Sequence, residues 1–160
     1  LIKSIKILKE RNIRANLLLI GDGSKKIKLI NLSNRLKIRK QISFIGASND
    51  VNKELDKIDI FIFSTTQNEG FGIALVEAMA KKIPIIASDV MACRETLLDG
   101  ELGLLIKPNS GMAIADAIEF TLNNKKDAFV KVEKAYKYAL ENYSKENMTT
   151  SYLKLLKLIN

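Results

Sequence analysis

The chain has 160 residues, 47% of them hydrophobic and 28% charged, and no apolar run approaches the roughly 18 residues of a membrane-spanning helix. Because the chain has one cysteine, an internal disulfide is excluded. Because it has no histidine, Ser–His–Asp, Cys–His and zinc-hydrolase chemistry are disfavoured within this segment. The net charge is +8, and residues 1–40 carry twelve lysines and arginines against two acids.

Short apolar runs alternate with helical patterns along the chain. The runs predict five strands, at residues 17–21, 42–46, 60–64, 83–88 and 103–106. The helical patterns fall near residues 1–11, 25–38, 51–57, 73–82, 91–98, 110–123, 127–141 and 145–158. Because most runs are continuously apolar, they are typical of parallel strands that are covered on both faces. The sequence therefore predicts an α/β fold with a doubly wound, Rossmann-like parallel sheet, whose ligands bind at the carboxyl ends of the strands.

A carboxylate interrupts the most apolar helical pattern. Glu77 lies within residues 71–80, which are otherwise apolar on every side and predict a buried helix. A lone carboxylate in such a helix is costly unless a hydrogen-bonding partner stabilises it. Glu77 therefore indicates a ligand site, and the alternative is a half-buried side chain that reaches solvent or pairs with a lysine.

A second acid precedes two glycines at the expected start of the same helix. Glu69 is followed by Gly70, Phe71 and Gly72. Glycines let backbone approach a ligand closely, and the free N–H groups of a helix start favour phosphate. Amides for phosphates and carboxylates for hydroxyls together favour a nucleotide-sugar over a tight turn that is purely structural.

The basic segment 25–40 interleaves lysines and arginines with isoleucines and leucines. Such a helix could contact an anionic membrane surface, and the alternative is an ordinary helix that covers the sheet and exposes a lysine-rich side. Nucleic acid is disfavoured as a partner because no aromatic residue lies among these charges.

Residues 69–89 closely resemble the E-x7-E signature of retaining glycosyltransferases of group 1, also called family 4, which have the two-domain GT-B fold. Further segments resemble the same family in consistent order, at residues 17–23, 44–46, 59–64 and 95–106. The resemblance implies that residues 1–160 are one nucleotide-sugar (donor) binding domain, the C-terminal half of such an enzyme, with terminal helices over 127–158. The acceptor-binding N-terminal domain would lie outside this chain.

The resemblance also implies an activity. A sugar would pass from a UDP-, GDP- or ADP-sugar to an acceptor in polysaccharide or glycolipid synthesis, with retention and without a metal or other cofactor. The chain contains no Asp-x-Asp pair of the kind that holds a divalent cation on a diphosphate. The location would be cytoplasmic, with a peripheral position at the inner face of the membrane as an alternative.

Site residues follow from the matched motif. Glu69, the first acid of the signature, would be the catalytic residue, since it would contact the donor sugar's hydroxyls and help place the anomeric carbon. Glu77, the second acid, would bind the ribose hydroxyls. Ala47 and Ser48 would line the base pocket, mostly through backbone. Sugar and phosphate oxygens would be held by four backbone amides, those of Gly70, Phe71, Gly72 and Ile73.

Three departures from the family pattern affect these expectations. The basic pair that neutralises the diphosphate would lie upstream of Leu1, so this chain should not turn over alone. Lys82 replaces the glycine that usually closes the signature helix, at a cost of about 1 kcal/mol if the position needs positive φ. Met91 and Ala92 stand where two glycines are usual.

Two other functions remain open on the sequence. The GT-B fold also serves nucleotide-sugar epimerases and phosphorylases, although those usually depend on histidines that this segment lacks. A non-catalytic binding module that uses its basic face would leave the paired acids and glycines unexplained.

Overall fold

The computed structural model describes residues 1–66 and 72–159, without the side chains of residues 151 and 157–159. Its helices are α1 (Ile2–Glu10), α2 (Lys26–Arg35), α3 (Val51–Leu55), α4 (Ile73–Ala80), α5 (Met91–Thr96), α6 (Gly111–Asn123), α7 (Lys125–Tyr143) and α8 (Lys145–Ile159). Its strands are β1 (Leu17–Ile20), β2 (Ile42–Gly46), β3 (Phe61–Phe63), β4 (Ile85–Ser88) and β5 (Leu104–Ile106). Each element falls on a predicted segment, and the predicted α/β fold is confirmed.

The strands form two parallel sheets. One contains β1 and β2, with Leu17 opposite Ile42, and the other has the order β3-β4-β5. The parallel pairing agrees with the continuously apolar strands. The prediction of one sheet differs from the structure, because β1 and β3 are each hydrogen-bonded on one side only among the described residues.

Strand β4 is covered on both faces, which makes the fold doubly wound. All four of its residues are buried. Ile86 belongs to a core that it shares with α1 and α6, whereas Ile85 and Ala87 belong to a second core with α4, α5 and α7. Since successive side chains of a strand point to opposite faces, this division places helices on both sides of the sheet.

Three helices end with the same backbone turn. In α1, α2 and α4 the second residue after the helix has a φ of 55° to 59°, and the next residue is an isoleucine. The isoleucine N–H donates to the carbonyl five residues back, at 2.9 to 3.2 Å, which is the Schellman arrangement. The three pairs are Asn12–Ile13, Lys37–Ile38 and Lys82–Ile83. Lys82 therefore does occupy a positive-φ position, as its replacement of glycine suggested.

Candidate functional site

Hydrogen bonds join the carboxyl ends of β3, β4 and β5 into one edge. The amide of Thr65, just after β3, donates to Ser88 Oγ at 3.1 Å, and Ser88 is 2% exposed. The amide of Asp89 donates to the carbonyl of Ile106 at 2.7 Å. The edge at which ligands bind in such folds is thus fixed on both sides of β4.

The turn from this edge into α4 depends on Gly72. Its φ of 70° and ψ of 55° lie in the left-handed region. A Cβ there would lie 3.2 Å from Leu75 Cδ1 and 3.5 Å from Phe63 Cε1. Gly72 is therefore required by both its conformation and its neighbours. Glu69, Gly70 and Phe71, which were predicted to belong to the site, lie outside the described residues.

Helix α4 is buried on one side and not all round, which corrects the prediction from its composition. It packs on α7, β3 and β4 through Leu75, Ala78 and Met79. Ile73 is 70% exposed and Glu77 is half-buried. Because these two residues are four apart, they share the open side of the helix. The helix start and Glu77 therefore face the same space.

The Glu77 carboxylate has no hydrogen bond or ion pair among the residues that the structure describes. The two lysines that follow it bind other acids: Lys81 pairs with Asp56 at 2.6 Å and Lys82 with Glu133 at 2.9 Å. Pairing with a lysine, the ordinary explanation of a half-buried glutamate, is thus not found in the described part of the chain. The carboxylate oxygens can accept hydrogen bonds from ligand hydroxyls.

The loop after β2 holds Ala47 and Ser48 at the carboxyl end of the other sheet. Ala47 is exposed, and Ser48 Oγ accepts from the amide of Asp50 at 3.2 Å. Asp50 in turn caps α3 by accepting from the amide of Lys53 at 3.2 Å. Hydrogen bonds from Lys53 lower the pKa of Asp50. Because the Ser48 Oγ acts here as an acceptor, its proton can still be donated, so this loop offers a ligand both a hydroxyl and backbone groups.

A glycine turn closes the same edge beside that loop. The amide of Gly21 donates to the carbonyl of Gly46 at 2.6 Å, and Asp22 pairs with Lys26 at 3.3 Å. Lys26 is the first residue of α2 and stands at the third glycine position of a dinucleotide fingerprint. The interpretation of this segment as a strand-to-helix turn is confirmed.

Sequence reasoning missed an ion pair at the end of β4. Arg94 donates to both oxygens of Asp89, at 2.5 and 2.9 Å, and lies 3.7 Å from Asp99. The hydrogen bonds to Asp89 raise the pKa of Arg94. The two residues are five apart and only Arg94 belongs to α5, so no helical spacing indicated the pair.

The basic segment 25–40 covers the first core and exposes its charges. Leu29 and Leu32 of α2 pack against that core, whereas Lys25 and Lys28 are exposed. No helix in the described ranges is long and apolar enough to cross a membrane.

The model of the family "Glycosyl transferases group 1" matches residues 1–142. The chain belongs to this family. It is 40% identical over 85 residues to a phosphatidyl-myo-inositol mannosyltransferase of Mycobacterium leprae, which covers 52% of this chain and 23% of that protein. The chain spans less than half the length of the curated relatives that it matches.

Solved structures agree with the fold. The C-terminal domain of a group 1 family glycosyl transferase (LpcC) from Francisella tularensis has a TM-score of 0.74 and 27% identity, over 90% of this chain and 77% of that one. Anabaena HepE in complex with UDP has a TM-score of 0.88 at 20% identity, over 98% of this chain and 44% of that one. The described architecture is thus that of a GT-B glycosyltransferase domain.

Proposed function

We propose that this chain is the donor-binding, C-terminal domain of a retaining, metal-independent glycosyltransferase. The enzyme transfers a sugar from a nucleotide-diphosphate sugar to an acceptor in cytoplasmic polysaccharide or glycolipid synthesis. The observation that carries the proposal is the Glu77 carboxylate, half-buried and without a partner in the described ranges, on the same open side as the start of α4. Family membership and the likeness to an isolated C-terminal domain support it.

Each residue of the proposed site has a distinct task. Glu77 accepts hydrogen bonds from the two ribose hydroxyls, which compensate its desolvation. The amides of Gly72 and Ile73 face the diphosphate at the positive end of the α4 dipole. Glu69 contacts the transferred sugar, and the amides of Gly70 and Phe71 bind sugar and phosphate oxygens.

The base is held by the loop at Ala47 and Ser48. Backbone carbonyls and amides of this loop select the base, together with the Ser48 hydroxyl, which can still donate its proton. The leaving diphosphate is stabilised by fixed amide dipoles, which need no metal ion. A UDP donor is compatible with the HepE structure, which contains UDP.

Calorimetric titration of the chain with UDP, GDP and ADP tests this proposal. One diphosphate should bind, and Glu77→Gln should weaken it by about tenfold, since a charged hydrogen-bond acceptor is lost. Glu101→Gln is the matched control, because Glu101 is exposed and the substitution removes the same charge. Equal binding by the Glu77 and Glu101 variants would contradict the assignment.

Activity is tested in the longer enzyme that contains both domains. Glu69→Ala and Glu77→Ala should each reduce sugar transfer strongly while circular dichroism stays unchanged. Added chelator should leave the rate unaltered. Product analysis with a labelled donor separates transfer from the alternative of epimerisation or phosphorolysis, and absence of diphosphate binding in that enzyme would favour a non-catalytic module.

The basic segment 25–40 gives the domain a face toward an anionic membrane, which fits an enzyme whose acceptor is a lipid. The donor site does not depend on this contact.

A further inference from the structure

A hollow at the amino end of β2 gathers positive charge. It encloses about 400 Å³, and four cations line it: Lys9, Lys37, Arg39 and Lys40. Its lining also contains Asn34, Gln41 and Ile38, which is 1% exposed. No carboxylate lines it within the described part of the chain. Because β2 runs from this hollow toward Gly46, the hollow lies at the opposite end of the strand from the candidate donor site.

Two of the cations are held in place without being neutralised. Lys9 Nζ donates to the carbonyl of Lys37 at 3.0 Å. Arg39 Nη1 donates to the carbonyl of Ile42 at 2.7 Å, and its guanidinium carbon lies 5.3 Å from the centre of the Phe44 ring. These contacts fix the positions of the charges, and neither contact supplies a counter-ion.

The negative ends of nearby helices compensate only part of this positive charge. Helices α1 and α2 both end near the hollow, and a helix end carries about −0.5 of an elementary charge. Two helix ends offset about one of the four positive charges. Their last carbonyls are also already bonded in the Schellman turns at Asn12 and Lys37. An excess of about three positive charges is left around a small space.

We propose that this hollow binds a phosphate group. A phosphate monoester carries about −1.5 to −2 charge at neutral pH, which the uncompensated cations can balance. One arginine and three lysines around a hollow with no carboxylate in its described lining supply the donor types that phosphate oxygens prefer. The group comes either from free phosphate or from a lipid headgroup that the exposed lysines of α2 help to attract.

The test uses the full chain with two double variants of equal charge. Lys9→Gln/Lys40→Gln removes two cations of the hollow, whereas Lys25→Gln/Lys28→Gln removes two exposed cations of the same basic segment outside it. In the first arm, amide resonances are followed during titration with inorganic phosphate, at ionic strength held constant with chloride. In the second arm, cosedimentation is measured with phosphatidylcholine vesicles that contain or lack phosphatidic acid, whose headgroup is a phosphate monoester.

A phosphate site predicts saturable shifts at residues 37–41, about tenfold weaker in the Lys9/Lys40 variant and nearly unchanged in the Lys25/Lys28 variant. Vesicle binding that falls in the same order identifies a lipid headgroup as the source. Phosphate binding without vesicle binding identifies the free ion. Equal losses in both variants, or no saturable shift, would overturn the proposal. Glu77→Gln should leave these shifts intact, so the hollow and the donor site are tested separately.

Discussion

Two lysines in left-handed conformations allow backbone strain to be separated from side-chain contacts. Lys37 lies two residues after the end of α2 and Lys82 two residues after the end of α4, with φ values of 55° and 56°. A side chain costs roughly 1–2 kcal/mol in this region, and glycine avoids most of that cost. Replacing each lysine with glycine should therefore release a similar strain.

The two sites differ in what the side chain contributes. Lys82 pairs with Glu133 at 2.9 Å and lies 4.4 Å from the centre of the Tyr136 ring. The exposed ion pair is worth about 0.2–1 kcal/mol and the cation–π contact about 0.5–1 kcal/mol. Among the described residues, the Lys37 ammonium has no such contact. Lys37→Gly should therefore stabilise the chain by about 1 kcal/mol, whereas Lys82→Gly should be close to neutral.

Urea unfolding in a chloride buffer measures both changes, and thermal unfolding should shift by about 2–4 °C per kcal/mol for a chain of this size. Alanine variants are the controls, because they remove the contacts and keep the strain. Lys37→Ala should be near neutral and Lys82→Ala should destabilise by about 1 kcal/mol. If Lys37→Gly is no more stable than Lys37→Ala, the strain argument is wrong.

Three further changes test the donor-site edge and the terminal helices by urea unfolding. Gly72→Ala should destabilise by about 1–2 kcal/mol, because φ is positive and the new Cβ lies close to Leu75; a neutral result would contradict the described turn. Ser88→Ala should cost about 1–3 kcal/mol by removing the acceptor of the Thr65 amide, with Ser88→Thr as the milder control. Burial raises the pKa of Tyr143 above its usual value near 10, so the stability it contributes is complete below pH 10 and is lost as the pH rises through the folded pKa. Tyr143→Phe should therefore lose less stability than the parent between pH 9 and 11, and parallel curves would refute this.

Periodicity and composition were sufficient to predict the described α-helices and strands, but not the short 3-10 helices at Arg39–Gln41 and Leu98–Gly100. Continuous apolar runs correctly indicated β4, whose residues are buried on both faces. The turn after α4 could also be anticipated, since a residue that replaces glycine at a helix end keeps the left-handed φ. The same turn after α2 was not predicted, because lysine gives no local indication of positive φ.

The sequence indicated candidate residues for the site, but it did not indicate which side of α4 is exposed or which ion pairs lie nearby. Gly72 and Glu77 were both predicted as site residues from the pattern of a carboxylate and glycines in an apolar helix, and that assignment stays a prediction. The open side of α4 was not predicted, because an apolar sequence does not show which face of the helix its neighbours leave uncovered. Ile73 is exposed at the position where composition alone predicts burial. The pair of Asp89 and Arg94 was missed because contact across a turn leaves no periodic pattern.

The division of the strands into two sheets could not be predicted from the hydrophobic pattern either. Hydrophobic patterns report which faces of a strand are covered, whereas sheet order depends on edges, where backbone groups pair and side chains carry little information. In the structure β1 has β2 on one side, and β3 has β4 on one side. Side-chain packing nevertheless joins the two sheets, because the first core contains buried residues of α1, β1, β2 and β4.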